Sequence, residues 1–103
     1  MICMPKVIQI HRNQHLRVLA HRFLTVGDPN RLKILCTLFN GKDQCVSEVA
    51  QQLGLSIAIV SHHLKILSRA GIVSAVRQGK RVCYQVAKDA FINDLKHLIC
   101  KHQ

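Results

Sequence analysis

Apolar residues recur at helical spacing along most of this chain, and the gaps between runs carry residues that start or stop helices. From about Ile8 to Leu24, the residues Leu16, Leu19, Ala20, Phe23 and Leu24 gather near one side of a helix. The segment Gly27-Asp28-Pro29-Asn30 breaks that run. Asp28 is a good N-cap, and Pro29 takes the first helical position, where its missing N–H costs nothing. A second helix then runs from Pro29 to about Phe39, with Leu32, Leu35, Leu38 and Phe39 on its apolar face and Asn40-Gly41 at its end. Residues 1–7 carry no periodic signal and read as a flexible arm.

The stretch from Ser47 to Gly71, SEVAQQLGLSIAIVSHHLKILSRAG, reads as two short helices around a tight turn. Ser47 is expected to cap the first and Gly54 to end it, while Ser56 caps the second and Gly71 closes it. Stepping about 100° per residue, Ile57, Val60, Leu64 and Leu67 share one face of the second helix. Ala58, Ser61, His62, Lys65 and Arg69 fall on the opposite one. Small residues allow close approach to a major groove, and hydroxyl, imidazole and cationic ends meet base edges and phosphates. His63 lies nearer the apolar stripe and is expected to be partly buried and hydrogen-bonded. The pair of helices is a helix-turn-helix.

Strand-like alternation follows, over Ile72–Arg77 and Arg81–Ala87, around Gln78-Gly79-Lys80. A basic hairpin directly after a recognition helix is a wing, and Arg77, Lys80 and Arg81 could reach phosphates or a minor groove. The plain alternative is a solvated hairpin with ordinary surface cations. A last helix over Lys88–His102 aligns Phe91, Ile92, Leu95, Leu98 and Ile99. The expected fold is therefore mainly α (α+β): a winged helix-turn-helix of four helices, a two-stranded hairpin and a fifth helix. The first and last helices form the expected homodimer surface, which would present two recognition helices to a palindromic site.

Charge sharpens this picture. The 103 residues suffice for one domain spanning 1–103, and 15 Lys and Arg against 5 acids leave a formal charge of +10. Such an excess favours a polyanion, with affinity driven by counterion release. Double-stranded DNA is the expected partner; a dimerisation module without DNA is the alternative class. No apolar run approaches the roughly 20 residues needed to span a bilayer, and the first residues lack a signal-peptide core, so the expected location is cytoplasmic, with no membrane partner. No nucleophile–base–acid set, glycine-rich phosphate loop or carboxylate pair is present, so neither an enzyme nor a cofactor is expected. The five cysteines are an odd number in a chain expected to be cytosolic, which points to reduced thiols, metal ligands or redox sensors rather than a disulfide frame.

The runs GDPNRLKIL, VSEVAQQLGLSIAIVSHHLKILSRAGIV and RQGKRVCYQV, with the surrounding helices, resemble the ArsR/SmtB family over about residues 16–100. The resemblance implies a dimeric winged helix-turn-helix repressor that leaves its operator when an inducer binds or modifies it. Members use different inducer sites. Where the metalloid and cadmium type has Cys-Val-Cys, this chain has Cys45, Val46 and Ser47, so one thiolate is missing. A soft site from Cys45 and a partner's Cys3 stays open. Where the zinc and cobalt type opens its last helix with Asp-x-His, Asp89 is followed two residues on by Phe91. Where another cadmium and lead type carries two recognition-helix cysteines, Ile66 and Ala70 stand.

What does match is Cys36 in the second helix and Cys100 in the last. This pair resembles the dithiol subgroup of the family, the BigR-, SqrR- and HlyU-like repressors. In that subgroup a disulfide or polysulfide bridge between two such cysteines releases DNA, so the implied inducer is a reactive sulfur species or an oxidant. Such chemistry needs a thiolate that attacks sulfane sulfur or peroxide and a second thiol that closes the bridge. Arg31, Lys33, Lys96 and Lys101 are the nearby cations in sequence. The alternative is a metal sensor, with His11 and His15 on the first helix and His97 and Cys100 on the last as nitrogen and sulfur ligands. Cys45 and Cys83 are expected to fill the core.

Overall fold

Capping residues set the helix boundaries. The computed structural model describes residues 6–100, with side chains from Arg12 onward. Cys3, most of the expected arm, the His11 side chain, Lys101 and the last turn expected up to His102 lie outside the described residues. In chain order the elements are α1 (Lys6–Val26), α2 (Pro29–Leu38), β1 (Gln44–Cys45), α3 (Val46–Leu53), α4 (Ile57–Arg69), β2 (Val73–Gln78), β3 (Arg81–Val86) and α5 (Ala90–Cys100).

Asp28 caps α2 by accepting the Arg31 N–H at 3.1 Å, with Pro29 in the first turn. That N–H holds the Asp28 carboxyl below its ordinary value of 3.8. Ser56 caps α4 through the Ile59 N–H at 3.1 Å. Gly54 ends α3 in the left-handed conformation (φ 66°), which costs a residue without Cβ little. The expected cap of α3 was misplaced. Glu48 reaches back to the Cys45 N–H at 2.9 Å, so Cys45 is the N-cap and Ser47 lies exposed inside the first turn.

The core is a three-layer contact of α2, α3 and α4 closed by the sheet and α5. Ile34, Leu35, Val49, Val60, Leu64, Leu67 and Ile72 are fully buried, and Ile92 and Leu95 of α5 pack onto the same cluster. Thr25 and Gln44 are buried polar residues with partners. The Thr25 hydroxyl donates to the His21 carbonyl, and the Gln44 amide donates to Thr37 O while accepting from Gln52. Among the described residues no buried side-chain polar atom lacks a partner, as a well-packed interior requires.

The sheet has three antiparallel strands in the order β1-β3-β2, one more than the hairpin alone. In the hairpin Gln78 pairs with Arg81, leaving Gly79 and Lys80 as a two-residue loop with Gly79 at φ 64°. Glycine at the first loop position lets a loop this short follow the twist of its strands. On the far side of β3, Gln44 pairs with Tyr84 and Cys45 with Cys83. A two-residue edge strand has no alternation to read, so only the packed chain reveals it.

Helices α1 and α5 meet through a long-range tie. Arg22 donates to both carboxylate oxygens of Asp89, at 2.8 and 3.2 Å, and its guanidinium lies 5.0 Å from the Phe91 ring centre. The Arg22 hydrogen bonds hold the Asp89 carboxyl below 3.8, helped by the Ile92 N–H that Asp89 accepts. Phe23 stands edge-on to Phe91 at 5.3 Å. Among the described residues much of the apolar side of α1 remains open: Leu16, Val18, Phe23 and Leu24 are exposed, as is Leu98 of α5.

Candidate nucleic-acid interface and thiol sites

Helix α4 presents two different sides. Val60, Leu64 and Leu67 are fully buried, whereas Ala58, His62, Lys65 and Arg69 are exposed and Ser61 is half-buried. Ser56, at the amino end, is exposed as well. One member of the expected apolar stripe departs from it. Ile57 is 58% exposed, and Ile59 beside it is 45% exposed, because the first turn of α4 extends past the elements that cover the rest. The helix therefore opens on a small apolar surface, Ile57-Ala58-Ile59, that sequence periodicity assigned in part to the core.

On the hairpin, Arg77 and Lys80 are exposed. Arg81 is engaged: its guanidinium lies 3.3 Å from the Glu48 carboxylate, joining the turn end of the hairpin to the first turn of α3. Half-exposed pairs of this kind contribute little to stability, so the contact matters mainly for orientation.

His63 is half-buried, as its position near the apolar stripe suggests, and its Nδ1 accepts from Arg31 Nε at 3.1 Å. Arg31 also donates to the Thr25 carbonyl at 3.0 Å, so it links the end of α1, the start of α2 and α4. Burial, with the Arg31 and His62 charges, depresses the His63 pKa below 6.5 against an opposing pull from Asp28. Since the folded chain favours the neutral ring, the unfolded chain binds the proton first as pH falls. The stability from this site is therefore present above about pH 6.5 and lost on acidification through the lower folded pKa. Chemical denaturation of wild type and His63→Gln, followed from about pH 7.5 to about pH 5, should show the wild type losing more stability. Parallel curves would remove His63 from this role.

The cysteines divide into two groups. Cys36 on α2 and Cys100 on α5 are each half-buried, and their helices pack against one another. Cys100 touches the core cluster on one side and lines a surface pocket with Asn93, Lys96 and His97 on the other. Of the cations near these thiols in sequence, Arg31 is committed to His63, whereas Lys96 shares the pocket of Cys100. Cys45 and Cys83 are buried, as expected of core fillers, but their sulfurs are joined in a disulfide. The two sulfurs meet because β1 sets the residues directly opposite each other on β3, so at this pair the thiols are joined and, of the expected roles, that of free reduced thiols does not describe it.

Among the described residues of the expected histidine set, His15 and His97 line different pockets. His15 is exposed and lines a groove of about 350 Å³ with Leu19, Phe23, Phe91, Leu95 and Leu98, between α1 and α5. His97 is exposed beside Cys100. Among the described residues, the one group of three metal-ligating side chains within 4.8 Å of one another is Cys45, Glu48 and Cys83. Among the same residues, no helix is long and apolar enough to cross a membrane.

A helix-turn-helix followed by a basic antiparallel hairpin defines a winged helix-turn-helix regulator. The profile of bacterial regulatory proteins of the arsR family matches residues 28–75, from the cap of α2 into β2. A biofilm growth-associated repressor of Xylella fastidiosa strain 9a5c is 33% identical over 102 residues, covering 96% of this chain and 89% of that protein. The cadmium resistance transcriptional regulatory protein CadC of Listeria innocua is 35% identical over 71 residues, or 69% of this chain. That match spans 60% of the cadmium regulator's length. The crystal structure of the transcriptional repressor BigR from Xylella fastidiosa matches with a TM-score of 0.78 at 26% identity, covering 92% of this chain and 96% of that one. The chain belongs to the ArsR family. These relatives are transcriptional regulators and not enzymes.

Proposed function

We propose that this protein is a homodimeric repressor that binds double-stranded operator DNA and is released when the Cys36/Cys100 thiols are modified by a reactive sulfur species or an oxidant. The observation that carries the DNA half is the division of α4 into a fully buried stripe and an exposed one. Ser56, Ala58, Ser61, His62, Lys65 and Arg69 read the major groove, with Ile57 and Ile59 available to thymine methyl groups. Arg77, Lys80 and Arg81 serve flanking phosphates, and Arg81 must share its charge with Glu48. One winged domain covers the chain, and it works in the cytoplasm, where its DNA is.

Lys80→Ala should weaken binding to all sequences alike and flatten the slope of log affinity against log salt by roughly one unit. A titration of salt against one selected and one scrambled duplex reads this directly. An effect confined to the selected duplex would make Lys80 a base reader instead.

Support for the thiol half comes from placement: two half-buried cysteines on helices that pack together, one beside a lysine in an open pocket. A thiolate at either position attacks the outer sulfur of an organic persulfide and releases the organic thiol. The other thiol then attacks the new protein persulfide, closing a disulfide and releasing hydrosulfide, or closes a trisulfide in the same way after a second persulfide has added one more sulfur. A bridge between α2 and α5 would shift helices that carry the core and the expected dimer surface, and a bias of a few kcal/mol is enough to move a two-state equilibrium. The test is mass mapping of the reduced, metal-free protein after exposure to an organic persulfide, beside a DNA-binding assay. Bridging of Cys36 to Cys100 with loss of DNA supports the proposal. Two unmodified thiols with DNA still bound would end it.

A metal-responsive repressor is the second reading. It is favoured by His15 in the α1/α5 groove and by His97 with Cys100 in one pocket, and by sequence His11, one turn before His15, is the fourth candidate ligand. Zn(II) binding that releases protons and disappears in His97→Ala would support it.

A further inference from the structure

Cys45 and Cys83 occupy a position that the Cys36/Cys100 reading does not use. Cys45 is the N-cap of α3, and Cys83 is fully buried in the middle of β3, two residues from Arg81 at the turn of the hairpin. Their disulfide spans 38 positions and closes a loop that contains all of α3, α4, β2 and the hairpin turn. It ties the two ends of the proposed DNA-reading unit together. The backbone does little of this work, since β1 has only two residues and lies at the sheet edge. Glu48 bridges the same junction: its carboxylate accepts the Cys45 N–H at 2.9 Å and the Arg81 guanidinium at 3.3 Å.

We propose that Cys45 and Cys83 are a second redox-active dithiol, independent of Cys36 and Cys100, whose disulfide clamps the hairpin to the start of α3 and raises affinity for DNA. In the reduced chain one thiolate attacks the terminal oxygen of a hydroperoxide. The O–O bond breaks, a sulfenic acid forms, and the leaving oxygen takes a proton to depart as an alcohol or water. The second thiol attacks the sulfenic sulfur, the S–S bond forms, and the hydroxyl leaves with that thiol's proton as water. Two thiols and one hydroperoxide thus yield one disulfide, one alcohol or water, and one further water. A small dithiol restores both thiols by exchange and is itself oxidised to a disulfide.

The expected sign follows from preorganisation. With the clamp closed, the hairpin is already held in one pose relative to α3 and α4, so less freedom is lost when DNA binds. With it open, a two-residue strand and the Glu48 contacts hold that edge alone. The proposal rests on DNA binding by α4 and the hairpin, but not on the other thiol pair.

The test uses the full chain carrying Cys3→Ser, Cys36→Ser and Cys100→Ser, so that only Cys45 and Cys83 remain. One sample is treated with hydrogen peroxide and one with dithiothreitol. Each is mapped for the Cys45–Cys83 linkage and titrated against a duplex that the wild-type protein selects from a random pool. The proposal expects linkage after peroxide and binding about tenfold tighter than in the reduced sample, reversed on re-reduction and absent when Cys45→Ala and Cys83→Ala are added. Thiols that stay alkylatable after peroxide, or a disulfide that leaves affinity unchanged, would overturn it. Comparing both states of one chain keeps the outcome decisive even if the alanine variant fails to fold. A wild-type protein that selects no duplex from the pool would strike instead at the DNA-reading assignment.

Discussion

Replacing Ser61, His62 and Lys65 together by alanine should erase sequence preference while leaving a folded protein. His62 and Lys65 are exposed and Ser61 is half-buried, none belongs to the stripe of Val60, Leu64 and Leu67, and alanine keeps each Cβ, so their loss removes little core packing. Alanine is also the best helix former, so α4 itself should persist. Each well-formed side-chain contact to a base edge discriminates by about 1–3 kcal/mol. Three such losses together should cut the ratio of specific to non-specific affinity by roughly a thousandfold. The remaining Arg69, Arg77 and Lys80 should preserve salt-dependent, non-specific binding. The measurement is a footprint on the selected operator beside titration of a scrambled duplex. An unchanged footprint would move recognition off this stripe.

Leu98→Glu should yield a folded monomer whose operator affinity falls by at least about a hundredfold. Leu98 is 70% exposed, so the new carboxylate costs the protomer's own core little. Yet it would sit in the apolar groove of Leu19, Phe23, Phe91 and Leu95, on the surface assigned to the partner copy. Burying an unpaired charge there opposes association. A dimer binds its second half-site as an intramolecular event, and losing that advantage removes about two to four orders of magnitude of avidity. Sedimentation gives the mass and anisotropy the affinity. A dimer that persists with Leu98→Glu would place the interface elsewhere and free the exposed face of α1 for another role.

Much of the fold was legible because its signals are local. Asp28-Pro29 before α2, Gly54 after α3, Ser56 before α4 and the Gly79-Lys80 loop each act on backbone groups within four residues. The buried stripe of α4 was readable for the same reason, since periodicity shows which side of a helix is apolar. It does not show how far along that side the cover extends, which is why Ile57 was assigned to the core and is found in solvent. The cap of α3 was missed because a cysteine stands in a place usually held by a hydroxyl or carboxamide side chain. Glu48, three residues on, was the available signal.

By itself, then, the sequence determined the order of the helices, the wing, the basic character and the two-sided recognition helix, because caps, turns and amphipathic stripes are decided by near neighbours. Only the tertiary structure decided that β1 exists, that Cys45 meets Cys83, that Arg81 leans on Glu48 and that Arg22 reaches Asp89. Those partners lie 33 to 67 positions apart. Nothing in the spacing of such residues selects one pairing over another until the packed core of α2, α3 and α4 brings their elements side by side.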